Sequence, residues 1–220
     1  MTQVLHGIEV VVFDVLGTLV DEPGGLAAQI AATGEEDPAR WVDDWQQYVA
    51  DQQARIARGE RPYAPSTMLD AEAAARVGEP ALTTATRSLP AWDDSAREVA
   101  RLAQHVTVLG LSNADAATLQ ALGRHADLRW HRAVSAERVA AYKPDAAVYR
   151  AAIDAAAVPP SRILMVAAHA WDLRGAMRAG MRTAYVPRPG GDAPMSGDRF
   201  DGLFGTLAEL VDAVVTGIRP

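Results

Sequence analysis

The residue that could do the most chemistry is Asp14, placed directly after the apolar run at 8–13 (I-E-V-V-V-F) and followed by Gly17 and Thr18. A lone carboxylate at a strand end could simply cap a turn. A tight glycine loop that brings a hydroxyl beside it can instead hold the carboxylate as a nucleophile. Three further polar groups stand after apolar segments or at helix starts: Ser112-Asn113, Lys143 and Asp172. Ser112 and Asn113 can cap the helix expected at 114–122, donate to an anionic ligand at that helix start, or do both. Lys143 can neutralise Asp14 and a ligand. Asp172 can cap the next helix, orient Lys143 or activate a water. Just before it, His169 is either a loop residue bonded to backbone or a base for that water, since imidazole moves protons near neutral pH.

These residues need elements that bring them together. The runs at 8–13, 106–111 and 163–168, with a weaker one at 183–186 closed by Pro187, have the β-branched look of buried parallel strands. Helical patterns at 95–104, 146–157 and 172–179 precede or follow them. That alternation predicts an α/β fold, a parallel sheet with helices on both faces whose ligand sits at the carboxyl ends of the strands. Ser112 follows Asp14 by 98 residues, whereas Lys143 and Asp172 come at steps of 31 and 29. A strand–helix–strand unit needs only about 30 residues. The excess reads as a helical cap over 23–90, inserted after the first strand, with 1–22 and 91–220 as the core. Its first helix is expected over 39–58, with Asp37 at the N-cap, Pro38 in the first turn and Gly59 closing it. Two more are expected at 68–77 and 81–88. Residues 187–201 read as a Gly/Pro-rich loop.

Composition limits the function classes. The 220 residues carry a formal net charge of −7 and no cysteine. The acidic balance argues against nucleic acid as a partner, and the missing thiols exclude thiolate catalysis and thiolate metal sites. No run reaches about 18 apolar residues, so no membrane span is expected. The stretch 1–9 lacks the pattern of an export signal, which makes the cytoplasm the expected compartment. His6, His105, His125 and His131 show no paired metal-ligand spacing.

Taken together, Asp14 with Gly17-Thr18, Ser112, Lys143-Pro144 and Asp172 resemble the four motifs of the haloacid dehalogenase superfamily, over essentially the whole chain. The resemblance implies a Rossmann-like core, a cap, and an aspartate that forms a covalent intermediate. The phosphatase branch has a second Asp two residues after the nucleophile and a Gly-Asp pair before the last motif. Here those positions are Leu16 and Ala167-Ala168. Leucine gives no proton to a leaving alcohol, and the carboxylate that would help hold magnesium is missing. By contrast, Ala167-Ala168-His169-Ala170-Trp171-Asp172 and the Lys143…Tyr149 spacing resemble the 2-haloacid dehalogenase subgroup. That subgroup implies halide displacement by Asp14 without metal or cofactor, a small-molecule substrate, and a homodimer.

On the same resemblance Thr18 supports the nucleophile, and Ser112 and Asn113 hold the substrate carboxylate. Leu16, Trp41, Tyr48, Tyr149 and Trp171 complete the substrate pocket. Trp41 and Tyr48 match the spacing of the subgroup's cap Trp and Tyr, but the arginine beside that Trp is Val42 here, leaving Arg40, Arg55 or Arg58 to substitute. Rival readings are a magnesium-dependent phosphatase and a non-catalytic binding protein.

Overall fold

The structure is a computed structural model and describes residues 4–218, so the first three residues of the stretch read for an export signal lie outside it. Six strands form one parallel sheet: β1 (Val10–Asp14), β2 (Thr107–Ser112), β3 (Arg132–Ser135), β4 (Ile163–Ala167), β5 (Arg182–Tyr185) and β6 (Gly202–Leu203), in the order β3-β2-β1-β4-β5-β6. Every residue of β1 and β4 is buried, which is why these runs are continuously apolar rather than alternating. Successive side chains still point to opposite faces. Val11, Phe13, Leu164 and Val166 belong to one core layer, and Val10, Val12, Ile163 and Met165 to the other.

The first layer is closed by α4 (Ser95–Leu102), α5 (Ala116–His125) and α8 (Leu207–Ile218). The second is closed by α6 (Ala146–Ala156) and α7 (Ala170–Arg178). The helical insertion between β1 and β2 begins with α1 (Glu22–Ala31), α2 (Pro38–Ala57) and α3 (Ser66–Val77), followed by short 3-10 turns at Pro80–Thr83 and Ala85–Ser88. No helix of the described residues is long and apolar enough to cross a membrane.

Several local expectations change. α1 is a further helix of the insertion, beyond the three that the sequence predicts at 39–58, 68–77 and 81–88. Asp21 caps it by accepting from the Gly24 N–H at 2.9 Å, and Gly25 is needed because a Cβ there would lie 2.6 Å from Pro90. The helix expected at 81–88 is instead the pair of 3-10 turns. Asp37 stands at the N-cap of α2 but makes no side-chain cap bond. Ser112 and Asn113 do not cap α5; Asp115 does, accepting from the Thr118 N–H at 2.9 Å. Asp172 lies in the first turn of α7 rather than at its cap, where His169 stands. β3 and β6 are too short and polar to signal a strand on their own, and they form because a parallel neighbour completes their hydrogen bonds.

Candidate active site

The sheet order reverses between β1 and β4, and in open α/β sheets ligands bind beyond the strand ends at such a switch point. Asp14 is the last residue of β1, and His169 follows β4. Lys143, just before α6, reaches between them. Its Nζ donates to Asp14 Oδ1 at 2.7 Å, to Asp172 Oδ2 at 2.6 Å and to the Leu111 carbonyl at 3.3 Å. All three ionisable groups are buried. Thr18 donates to Asp14 Oδ2 at 2.6 Å and accepts from the Ala168 N–H at 3.0 Å, tying the loop after β1 to the end of β4. Tyr149 donates to Asp172 Oδ1 at 2.7 Å. A Cβ on Gly175 would lie 2.2 Å from the Tyr149 oxygen, so this glycine makes room for the phenol.

Burial alone would raise the pKa of Asp14. Lys143 and His169 beside it, with the Lys143 and Thr18 hydrogen bonds, outweigh that and hold its carboxyl below the ordinary value. Burial would likewise discharge Lys143, but Asp14 and Asp172 raise its pKa. Asp172 is raised by burial, and the Asp14 charge adds to the shift against Lys143. Asp14 is therefore an ionised carboxylate held in place by a charged lysine, the state a nucleophile needs.

His169 stands on the other side. Its Nδ1 is 3.6 Å from Asp14 Oδ2 and, buried, has no hydrogen-bond partner among the described residues. Gly17 at φ +75° allows this approach, since a Cβ there would be 2.7 Å from the imidazole. Trp171 meets the ring edge-on at 5.9 Å, and the loop at 187–201 secures the start of α7 where Asp192 accepts from the Trp171 N–H at 2.9 Å.

A cleft of about 240 Å³ opens over Asp14, lined by Leu16, Ser112, Asn113, Lys143, His169 and Trp171 from the core. Thr18, Asp172 and Tyr149 stand behind that lining. Ser112 Oγ accepts from the Ala114 N–H at 3.1 Å, and Asn113 Oδ1 accepts from the Lys143 N–H at 2.9 Å. Trp41 and Tyr48 are not brought to the cleft. They line a separate groove, where Trp41 donates to Glu35 and Tyr48 to Glu72, each at 3.2 Å. The face of α2 over Asp14 is instead Trp45, Gln46, Val49, Ala50 and Gln53, joined by Glu22 of α1. Sequence reasoning did not place Glu22, Gln46, Val49, Ala50 or Gln53 at the cleft. The available signal was the line Trp45, Val49, Gln53 at four-residue steps, one stripe of a helix.

No arginine lines the cleft among the described residues. Arg40 stacks on Trp41, Arg55 donates to Gln52 and Arg58 pairs with Glu60. No group of three or more His, Asp or Glu able to hold a metal ion is present among the described residues. Leu16 lines the cleft and Ala168 is buried, and neither side chain offers an oxygen or a proton there.

Beneath the cap, Asp70 is buried with Thr86 donating to it at 3.3 Å. Burial, with Glu22 nearby, pushes its pKa up to about 8. Between about pH 4 and about 8 the folded protein then holds a proton that the unfolded chain has lost, so this group makes stability fall as pH rises through that window. Asp70→Asn is expected to raise the unfolding free energy at pH 8 by on the order of 2 kcal/mol and to change it little near pH 4. Denaturant unfolding at the two pH values checks this; equal effects at both would contradict it.

A parallel sheet in this order, a helical insertion after the first strand, and a buried Asp–Lys–Asp chain at the strand ends set the class of hydrolase with which the chain is compared. A family model described as haloacid dehalogenase-like hydrolase matches residues 8–180, and the chain belongs to that family. It is 32% identical over 128 residues to an (S)-2-haloacid dehalogenase of Pseudomonas sp. (strain YL), a match covering 57% of this chain and 50% of the relative. The chain thus spans about half the length of that curated relative. Among solved structures, the L-2-haloacid dehalogenase PA0810 superposes with a TM-score of 0.85 at 27% identity, over 94% of this chain and 98% of that one. An L-2-haloacid dehalogenase from Xanthobacter autotrophicus, with chloropropionic acid covalently bound, shares the fold at 23% identity and a TM-score of 0.80, over 93% and 97% of the two chains.

Proposed function

We propose that this hydrolase breaks a carbon–halogen bond next to a carboxylate, acting on a 2-haloalkanoic acid. The observation that carries the reading is the ionised Asp14, held by Lys143 and Thr18 at the floor of a cleft whose neighbouring positions, Leu16 and Ala168, lack the acid and the carboxylate that phosphoryl transfer would use. In the first step an Asp14 oxygen bonds to C2 of the substrate, and the C–halogen electron pair leaves with the halide. No proton donor is needed, because halide is a stable anion. Ser112 and Asn113 lie where they can receive the substrate carboxylate at the start of the turn before α5.

In the second step water adds to Cγ of the Asp14 ester. The acyl C–O bond then breaks, releasing the 2-hydroxy acid and restoring the carboxylate. The water must lose a proton, and the two candidates differ in availability. Both oxygens of Asp172 are engaged, one by Lys143 and one by Tyr149. His169 Nδ1 is unpartnered and faces the nucleophile. His169 therefore takes the proton and returns it to the leaving alkoxide, while Asp172 keeps Lys143 in place. The resemblance adds a homodimer as assembly, and the cytoplasm is the proposed compartment.

The test is halide and phosphate release over a substrate panel, in magnesium and in chelator. Chelator-resistant halide release is expected, and chelator-sensitive phosphate release would overturn the reading. In His169→Ala, about one halide per active site should appear in a rapid burst. Steady turnover should then slow by about 10²–10⁴-fold, with the carboxyalkyl group of the substrate retained as an ester on Asp14 in the mass spectrum. An undiminished hydrolysis step would remove His169 from the mechanism.

A further inference from the structure

The core side of the cleft carries the reaction; the cap side carries a charge that this reaction does not use. Glu22 opens α1 and is the only ionisable residue among those the insertion contributes to the cleft lining, beside Trp45, Gln46, Val49, Ala50 and Gln53. The Gln46 amide lies close enough to draw its pKa down somewhat, and Glu22 makes no ion pair among the described residues. A recess of about 50 Å³ continues inward from the cleft between Glu22, Trp45, Gln53 and Asn113, with Asp70 in its wall. That volume suits a group the size of an ammonium or a water, whose share of liquid volume is about 30 Å³.

The cations around the cleft are already committed. Lys143 spends its three donors on Asp14, Asp172 and the Leu111 carbonyl. His169 faces Asp14 from the far side. Arg87 acts on Asp70 through space but lines neither the cleft nor the recess. The wall thus presents a carboxyl with an amide beside it and no counter-ion. Burial and the Asp14 charge push Glu22 up to about 7. A cation seated beside it would reverse the second cause and compensate the first. A second carboxylate placed there would meet repulsion from Glu22 and Asp14 together.

We propose that Glu22 is the specificity-determining residue of the cleft, receiving a primary ammonium on the tail of the substrate, so that the substrate class is a 2-halo acid whose side chain ends in an amine. This rests on the dehalogenation reading above. Trp45 adds an aromatic surface beside the same position, which suits a cationic group. The carboxylate next to the halogen still lies toward Ser112 and Asn113, and the tail runs under the cap.

Three chlorinated acids of nearly equal shape test this: 4-amino-2-chlorobutanoate, its uncharged isostere 2-chloropentanoate, and the dianion 2-chloroglutarate. The wild-type kcat/KM should favour the amine over the isostere by about tenfold and place the dianion last. Glu22→Gln keeps the size and hydrogen-bonding capacity but removes the charge. It should bring the amine and the isostere to within about twofold of each other. Binding of the corresponding 2-hydroxy products, read by the fluorescence of Trp45 and Trp171 at the cleft, gives a second measurement that needs no turnover. An amine preference that disappears in Glu22→Gln, in either measurement, supports the proposal. Chloride release without an amine preference, or with one that survives Glu22→Gln, overturns it and leaves the dehalogenation reading standing. Should no compound release chloride in an Asp14-dependent way, the dehalogenation reading fails, and product binding alone decides for or against Glu22.

Discussion

Asp14→Asn should abolish halide release, lowering kcat/KM by about four orders of magnitude or more, while leaving the protein folded. The loss follows from the mechanism, because an amide is too weak a nucleophile to displace halide and no other side chain stands in its place. The second half of the expectation comes from the charges. In the native protein one buried lysine serves two buried carboxylates, Asp14 and Asp172, and burial together with the Asp14 charge raises Asp172 against the pull of Lys143. Removing the Asp14 charge leaves Lys143 and Asp172 as a neutral pair. The variant should therefore melt no lower than the wild type, in contrast with the usual effect of breaking a buried network. Halide release and a thermal melt on the same preparation check both halves. Residual Asp14-independent turnover near the wild-type rate would remove Asp14 as nucleophile, and a large fall in melting temperature would show that the carboxylate holds the fold together.

Lys143→Met has the opposite profile. It removes the lysine that bridges two buried carboxylates, whose remaining partners are Thr18 and the nearby His169 on one and Tyr149 on the other. Breaking a buried pair by deleting one partner costs about 3–5 kcal/mol, because the surviving charge is left uncompensated. Here two charges are left. The unfolding free energy at pH 7 should fall by that amount, and the deficit should shrink toward acid pH as the carboxylates protonate. Adding Asp172→Asn to the variant should recover part of the loss, because one of the stranded charges is gone. Denaturant unfolding of the single and double variants gives the answer, and additive losses in the pair would show that Lys143 does not act through these carboxylates. Activity should disappear in both, since Asp14 would no longer be held ionised at the floor of the cleft.

The contrast between the two variants separates function from stability within one cluster. On the proposed mechanism Asp14 serves the chemistry and leaves the core with excess negative charge, whereas Lys143 makes that excess tolerable. Thr18 and Tyr149 occupy the carboxylate oxygens that Lys143 does not take. His169 alone remains with an unused nitrogen.

Much of the core was legible because its signals are local. A buried parallel strand reads as a short apolar run, and the first residues beyond it must be at the ligand end of the sheet. That logic reaches Asp14, Ser112 and His169 from sequence alone, and the spacing of Lys143 and Asp172 follows from the length of one strand–helix–strand unit. Leu16 and Ala168 were equally readable as absences of carboxylate. The weak edge of the sheet was not: β3 and β6 have four and two residues and depend on neighbours far away in the chain.

What the sequence by itself determined, then, is the α/β class, the insertion after the first strand and the polar residues at the strand ends, each carried by a pattern a few residues long. Only the tertiary structure decided which face of α2 looks into the cleft, and with it the exchange of Trp41 and Tyr48 for Trp45, Gln46 and Glu22. A helix presents all its faces to a reader of the sequence. Here the choice is made by burial of Val42 and Trp45 in the core and by hydrogen bonds from cap to core: Asn113 to Gln53, Tyr142 to the Ala64 carbonyl and Ser66 to Asp115, spanning 60, 78 and 49 residues. Contacts at such separations leave no local pattern, because each partner satisfies its own segment's rules whichever way the cap is turned.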